Sequence, residues 1–303
     1  MVLAGVTPRF LAVDAQDRLL YTANDLRTIL RQEADGTIRR WAGLDPTEPV
    51  GGNVLIPVPL GVVGGSGEDF YVADAGLFRI LHLRRRSGEA AEFVAEIRTP
   101  TRPDLLARDR QGTLYYAARE GSEIFRVRAG EAPVSHTRDI QGIQGLAARE
   151  EGLVVATGNS SGLWTVNAAG QAQPLVLSGQ NTQIVAAFQL SATRSGEIVA
   201  LVNQQVWRIS RENVLTRGES GRPGNAAAAE LCAPALSNAP IAAQNDGAVW
   251  FQGPFGLCRM EANGKIWAVE ERQSVDEGGS RVSASSLADF RTLGGMAWDE
   301  RGR

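Results

Sequence analysis

A short apolar run, most often closed by alanine, recurs along this chain of 303 residues. It reads Leu20-Tyr21-Thr22-Ala23, Phe70-Tyr71-Val72-Ala73, Leu114-Tyr115-Tyr116-Ala117 and Leu153-Val154-Val155-Ala156, with weaker copies at Ile198-Val199-Ala200-Leu201 and Val249-Trp250-Phe251-Gln252. Successive copies lie 39 to 51 positions apart, a period that suits one four-stranded propeller blade per repeat. The flanking sequence has the same rhythm. A strand and a tight polar turn precede each run, as in LAVDAQDR, LLARDRQG, LSATRSG and IAAQNDG. Asp or Gly there supplies the side-chain capping or positive φ that a short hairpin needs. A third strand follows, such as Ile29-Leu30-Arg31 or Val206-Trp207-Arg208, then a second turn (Asp35-Gly36, Asn263-Gly264) and a fourth strand such as Ile266-Trp267-Ala268-Val269. No sustained i, i+3, i+4, i+7 pattern argues for a long helix.

The pattern therefore predicts an all-β chain, a single six-bladed β-propeller of four-stranded antiparallel blades spanning 1–303. The blades fall at about 10–43, 60–96, 105–139, 145–179, 188–218 and 241–272. The ends leave a remainder. Residues 1–5 look like a fourth strand and 295–303 like a first strand with its turn, a partial seventh unit. Either the two ends pair as a ring-closing patch, or this is a segment of a longer chain, which would leave room for an extracytoplasmic location.

At the residue level FLAVDAQDRLLYTAND, DFYVADAGLFRI and GMAWDERGR resemble the NHL-repeat family of propellers, in its bacterial form. The resemblance covers nearly the whole chain. It implies a β-propeller that binds proteins or ligands on one face, and it implies little about chemistry, because propellers host many functions.

Composition narrows the partners. With 31 basic against 34 acidic residues the chain carries a formal charge of -3, so it lacks the basic field of a nucleic-acid binder. The one dense basic run, Arg84-Arg85-Arg86, sits beside a turn on the face opposite the channel mouth and reads as a solvated turn. No window supplies the ~18 apolar residues of a membrane helix. MVLAGVTPRFLAVD has no basic n-region and is broken by Pro8 and Arg9, so it is not a signal peptide. The sequence thus implies a soluble chain with neither nucleic acid nor membrane as partner.

Candidate site residues lie on the loops between second and third strands, which ring one mouth of the central channel. They are Asp25, Asp74, Arg119, Glu120, Asn159, Asn203 and Phe255. Hard oxygen donors in such a ring could hold Ca²⁺ or another divalent cation. A metal-dependent lactonase of the gluconolactonase type would use such a ring, with a carboxylate as general base. Turn chemistry explains Asn and Asp at the same places without any ligand, and then no cofactor is implied. Long linkers at 44–59, 218–240 and 272–294 also reach this face. His82 and His136 fall on outer strands, read as surface positions, away from any site for a catalytic triad or a histidine–metal centre. Cys258 occupies the slot filled by Leu30, Leu81, Phe125, Trp164 and Trp207 in other repeats. It reads either as a buried thiol or, with Cys232 in the linker entering the same blade, as half of a disulfide. The residues favour a non-enzymatic platform for a protein or small ligand, with the lactonase as the alternative.

Overall fold

The computed structural model describes residues 8–14, 16–23, 27–32, 37–44, 49–50, 54–65, 67–84, 91–150, 152–158, 162–179, 187–193, 195–202, 205–217, 222–223, 232, 240–252, 257–268 and 272–273. They form six antiparallel four-stranded sheets arranged as a six-bladed β-propeller. Blade 1 comprises Phe10–Val13, Leu19–Ala23, Thr28–Gln32 and Thr37–Leu44. Blade 2 comprises Pro59–Gly64, Asp69–Asp74, Arg79–Arg84 and Glu92–Arg98, and blade 3 Leu105–Arg108, Leu114–Ala117, Ile124–Val127 and Val134–Thr137. Blade 4 is built of Ile143–Arg149, Gly152–Thr157, Leu163–Asn167 and Ala172–Pro174. Ala187–Ala192, Ile198–Val202, Gln205–Ile209 and Val214–Arg217 make blade 5, and Ile241–Ala243, Val249–Gln252, Leu257–Met260 and Lys265–Ala268 make blade 6.

The recurring apolar run is the second strand of each blade, and its pairing explains why the run is apolar throughout. Tyr21 faces Leu30, Val72 faces Leu81, Tyr116 faces Phe125, Val155 faces Trp164, Ala200 faces Trp207 and Phe251 faces Cys258. A strand in mid-blade is covered on both faces by neighbouring blades, so both sets of alternate side chains are drawn from the apolar pool. The core is accordingly divided into six clusters, each spanning two adjacent blades. Leu20 and Trp41 of blade 1 pack with Val62, Phe70 and Leu83 of blade 2. Ile80 of blade 2 packs with Leu106, Tyr116 and Phe125 of blade 3, and Leu105 and Tyr115 of blade 3 with Leu146 and Val155 of blade 4. Val154 and Leu163 meet Leu190 and Trp207, and Val199 meets Ile241 and Phe251. The sixth cluster joins Trp250 and Leu257 of blade 6 to Leu11, Tyr21 and Leu30 of blade 1. Trp41, Trp207 and Trp250 are buried, as packing residues should be.

Blade 6 therefore packs directly on blade 1, and the ring closes with six sheets among the described residues. Asp17 reinforces the join, accepting from Asn245 Nδ2 at 2.5 Å through Oδ1 and from Gln244 Nε2 at 2.8 Å through its carbonyl. The end strands 1–5 and 295–303 lie outside the described residues.

Outer edges carry a second recurring device. Ser178–Gly179, ahead of blade 5, pairs in parallel with Val214–Leu215 on that blade's fourth strand. Arg222–Pro223 pairs likewise with Lys265–Ile266 of blade 6. After blade 6, Arg272–Gln273 pairs with Thr37–Ile38 on the fourth strand of blade 1. Each strap covers backbone groups that an outer strand would otherwise leave open to pairing with another chain.

Candidate functional site

The first strands line the channel largely with aliphatic side chains, and Arg108 and Ser191 also belong to the lining. Leu11, Val13, Val62, Leu106, Leu146, Leu190 and Ile241, with small residues between them, surround a bore of about 180 Å³. Carboxylates are absent from that lining. Toward the turns between first and second strands the bore widens into a polar funnel of about 240 Å³ that includes Asp14, Asp17, Arg108, Asp109, Arg149, Thr193 and Asn245. These groups are engaged in holding turns and blades. Asp14 Oδ1 accepts from the Gln16 and Arg18 amides, and its Oδ2 takes Arg18 Nε at 2.6 Å. Arg149 donates to Asn213 Oδ1 at 2.8 Å and to the Ser210 carbonyl at 2.9 Å, both in blade 5. Asp109 Oδ2 accepts from the Tyr115 hydroxyl at 3.3 Å. Arg108 reaches over the Tyr71 ring of blade 2.

The opposite mouth, ringed by the loops between second and third strands, is organised differently. Asp74 ends the second strand of blade 2 with its carboxylate fully buried. Oδ1 accepts from the amides of Val58 at 3.3 Å and Gly76 at 3.2 Å, and Oδ2 takes Arg79 Nε at 3.0 Å. Arg79 goes on to Glu96 and to the Leu55 carbonyl. Asp74 thus fastens the incoming linker to the loop and has little capacity left for a ligand. Beyond it the loop exposes Leu77 and Phe78, and the linker that Arg79 joins to this loop exposes Leu55. Phe78 is held at φ 51°, a left-handed conformation that costs a bulky side chain roughly 1–2 kcal/mol.

In blade 3, Glu120 adopts φ 62°, and its amide donates to the Ile143 carbonyl at 2.6 Å while the Ile143 amide returns a bond to Gly121. This pair of backbone bonds clamps the loop to the entry of blade 4. Asp104, just ahead of the first strand, spends Oδ1 on Arg102 Nε at 2.6 Å and Oδ2 on the Arg119 amide at 2.9 Å. The Arg119 side chain then projects over the Phe10 ring, its guanidinium carbon 5.3 Å from the ring centroid. Phe10 packs against both the blade 1–2 and the blade 3–4 clusters, so its ring reaches across the top of the bore. Among the described residues no protein acceptor takes a hydrogen bond from that guanidinium. Burial lowers the Arg119 pKa from its ordinary value and exposed Arg9 adds to this, against opposing pulls from Asp104 and Glu120. Glu120 is exposed, and Gln144, nearly buried, directs Nε2 to its Oε1 at 3.4 Å.

Of the residues anticipated at this mouth, Asp74, Arg119 and Glu120 are described; the Asp74 side chain is buried, Arg119 is half-buried and Glu120 is exposed. Asp25, Asn159, Asn203 and Phe255 lie outside the described residues, as do most of the three long linkers. Phe10, Arg9, Asp104 and Gln144 were not anticipated. All four sit where the chain enters a first strand, in TPRF, RPD and GIQG; Arg9 and Asp104, polar residues straight after Pro, carry a local signal, whereas Phe10 and Gln144 stand one residue further on and do not. Among the described residues no three His, Cys, Asp or Glu side chains group as a metal site.

The histidines differ from expectation. His82 is half-buried, stacked on Tyr71 with ring centroids 4.4 Å apart and Nε2 3.1 Å from Asp69 Oδ2. His136 is half-buried against Tyr115. Tyr71, on the strand paired with that of His82, and Tyr115, two strands in from that of His136, pack against the two rings. Arg84 also binds Asp69, through Nε at 2.6 Å, so the start of the basic run is paired. Cys232 and Cys258, both buried, form a disulfide with Cα atoms 5.9 Å apart. It ties the linker to the third strand of blade 6.

No family model matches the chain, and no curated protein matches it either. Solved structures do. A streptogramin B lyase superposes with a TM-score of 0.58 at 13% identity, over 91% of this chain and 86% of the lyase. A gluconolactonase from Xanthomonas campestris gives 0.58 at 14%, over 84% and 85%. A nidogen/laminin complex gives 0.56 at 13%, over 78% of this chain and 87% of the matched one. Two enzymes and a nidogen/laminin complex share this fold at identities too low to carry an activity across. No helix among the described residues is long and apolar enough to cross a membrane.

Proposed function

We propose that this chain is a non-enzymatic propeller of NHL type, which uses the loop face between second and third strands as a platform for a protein or a small ligand. The observation that carries the reading is the exposed Leu55, Leu77 and Phe78 group on that face, with Phe78 held in a left-handed backbone conformation. Apolar side chains gathered on an exposed loop mark interaction sites more often than chance exposure does, and backbone strain persists where function rewards it. Arg119 over Phe10 supplies a polar anchor on the same face. The Cys232–Cys258 disulfide supports an oxidising, extracytoplasmic setting.

The lactonase alternative needs hard donors at the mouth. Of the described acidic residues there, Asp74 and Asp104 spend their oxygens on protein donors, and Glu120 is a single exposed carboxylate whose Oε1 already takes Gln144 Nε2 at 3.4 Å. The test is a thermal melt of metal-stripped protein titrated separately with Ca²⁺, Mn²⁺ and Zn²⁺, accompanied by a lactone hydrolysis assay. The platform reading expects no shift and no hydrolysis. A ligand at 100 times its Kd stabilises by about 2.7 kcal/mol, so a rise of several degrees with any metal, or lactone turnover, refutes it.

A further inference from the structure

We propose that Arg119 and Phe10 form a docking point for a ligand carboxylate at the channel mouth, a deepening that rests on the platform reading above. Elsewhere around the channel the described polar groups are committed: Asp14 to Arg18, Asp17 to Asn245, Arg149 to blade 5, Asp74 to Arg79 and two amides. The Arg119 guanidinium is not engaged in this way. It is half-buried, it lies over an aromatic ring, and none of its guanidinium N–H donors reaches a protein acceptor among the described residues. A guanidinium stripped of part of its water is poorly solvated until an acceptor arrives.

Its loop is fixed from three sides: the Arg119 amide on Asp104, the Glu120 amide on Ile143, and the Ile143 amide on Gly121. The cation is therefore positioned before binding, and little ordering entropy remains to oppose the ligand. The planar fork of arginine matches a carboxylate through two parallel hydrogen bonds. The neighbouring charges favour a single negative charge over two. Asp104, Glu120 and the cation Arg9 all stand close enough to act on Arg119 electrostatically; the four charges sum to zero, so a monoanion leaves less uncompensated charge at the mouth than a dianion such as phosphate. The Phe10 ring beside the fork, and the largely aliphatic bore beneath it, suit a carboxylate borne on an apolar body.

Two sources share that chemistry, a free organic acid and the carboxy terminus of a peptide. The experiment is calorimetric titration of the full chain at low salt with benzoate and with N-acetylphenylalanine, each against its uncharged amide, and with inorganic phosphate. Saturable binding of at least one acid is expected at a Kd of roughly 1 mM or tighter, with neither amide binding and phosphate weaker. Preference for benzoate indicates the free acid, and preference for N-acetylphenylalanine the chain terminus. Arg119→Ala should weaken binding about tenfold or more, and Arg119→Lys, which keeps the charge and loses the fork, should weaken it severalfold. Phe10→Leu should weaken it through the lost ring, and unchanged melting midpoints would show that the variants fold. Binding that is absent, equal for acid and amide, or unaffected by Arg119→Ala overturns the proposal. If it fails while the metal titration stays flat, the platform reading survives it. A metal-induced rise would instead overturn that reading.

Discussion

Replacing Asp74 by alanine separates a fastening carboxylate from a ligand-binding one. The buried Asp74 side chain holds the Val58 and Gly76 amides and Arg79 Nε. Its loss leaves two backbone donors short of an acceptor, each worth roughly 1–3 kcal/mol when fully buried. Breaking a buried ion pair costs roughly 3–5 kcal/mol, a figure to be discounted here because Arg79 retains Glu96 and the Leu55 carbonyl. We expect a net loss of about 3 kcal/mol, which lowers the midpoint of a domain this size by about 5 °C. Asp74→Asn keeps one acceptor oxygen and should cost about half as much. The assay is a thermal melt at pH 7 in metal-free buffer, followed by near-UV circular dichroism. A loss below about 1 kcal/mol for the alanine variant would refute the reasoning. It would mean that the loop holds the linker without the carboxylate, leaving Asp74 free for a ligand.

Other consequences can be checked on the same instrument. The Cys232–Cys258 bridge closes a loop of 26 residues; replacing both cysteines with alanine should cost about 3–4 kcal/mol by chain entropy, and the variant's melt should become insensitive to reductant. Phe78→Gly relieves the left-handed strain, so it should leave stability equal or raise it by about 1 kcal/mol, while any partner of the loop face binds less tightly. A lower midpoint for that variant would show that the exposed ring stabilises the fold. Burial depresses the His136 pKa below its ordinary 6.5. The unfolded chain then takes up the proton first, so the stability His136 contributes is complete above about pH 6.5 and is lost as the pH falls through its folded value. His136→Phe should flatten that part of the pH–stability curve, and an unchanged slope would assign it elsewhere.

The architecture was legible because its signals are local and repeated. An apolar run such as Phe70-Tyr71-Val72-Ala73, bounded by turns with Asp14, Asp109 or Gly196, marks a strand wherever it stands. Six copies then fix the blade count. Topology put Cys232 and Cys258 on one face, where linker and loop meet, and left open whether they are bonded; the structure bonds them. Side-chain direction was less accessible. An aspartate at the end of a second strand looks the same whether it faces a ligand or turns back on its own loop, and Asp74 turns back. His82 aligned with exposed positions, yet Tyr71 stacks over it because the two strands pair with those residues opposite each other. Phe10 gave no distinct signal, because the first apolar residue of a first strand is usually only the start of the channel wall. Its reach to blade 4 depends on the curvature of the whole ring.

The strap from Arg272–Gln273 to Thr37–Ile38 also sets the order in which the molecule can be completed on the ribosome. The blade made first is sealed by almost the last described stretch of chain. At typical synthesis speeds of about 5–20 residues per second, the outer edge of blade 1 waits roughly 12–47 s for its cover. Through that interval the Trp250–Leu257 flank is also missing, so the nascent chain offers a bare edge and an unfilled apolar seam at once. Protection by chaperones during synthesis should therefore matter most for the amino-terminal blade, and a circular permutant that makes blades 1 and 6 consecutively should need less of it.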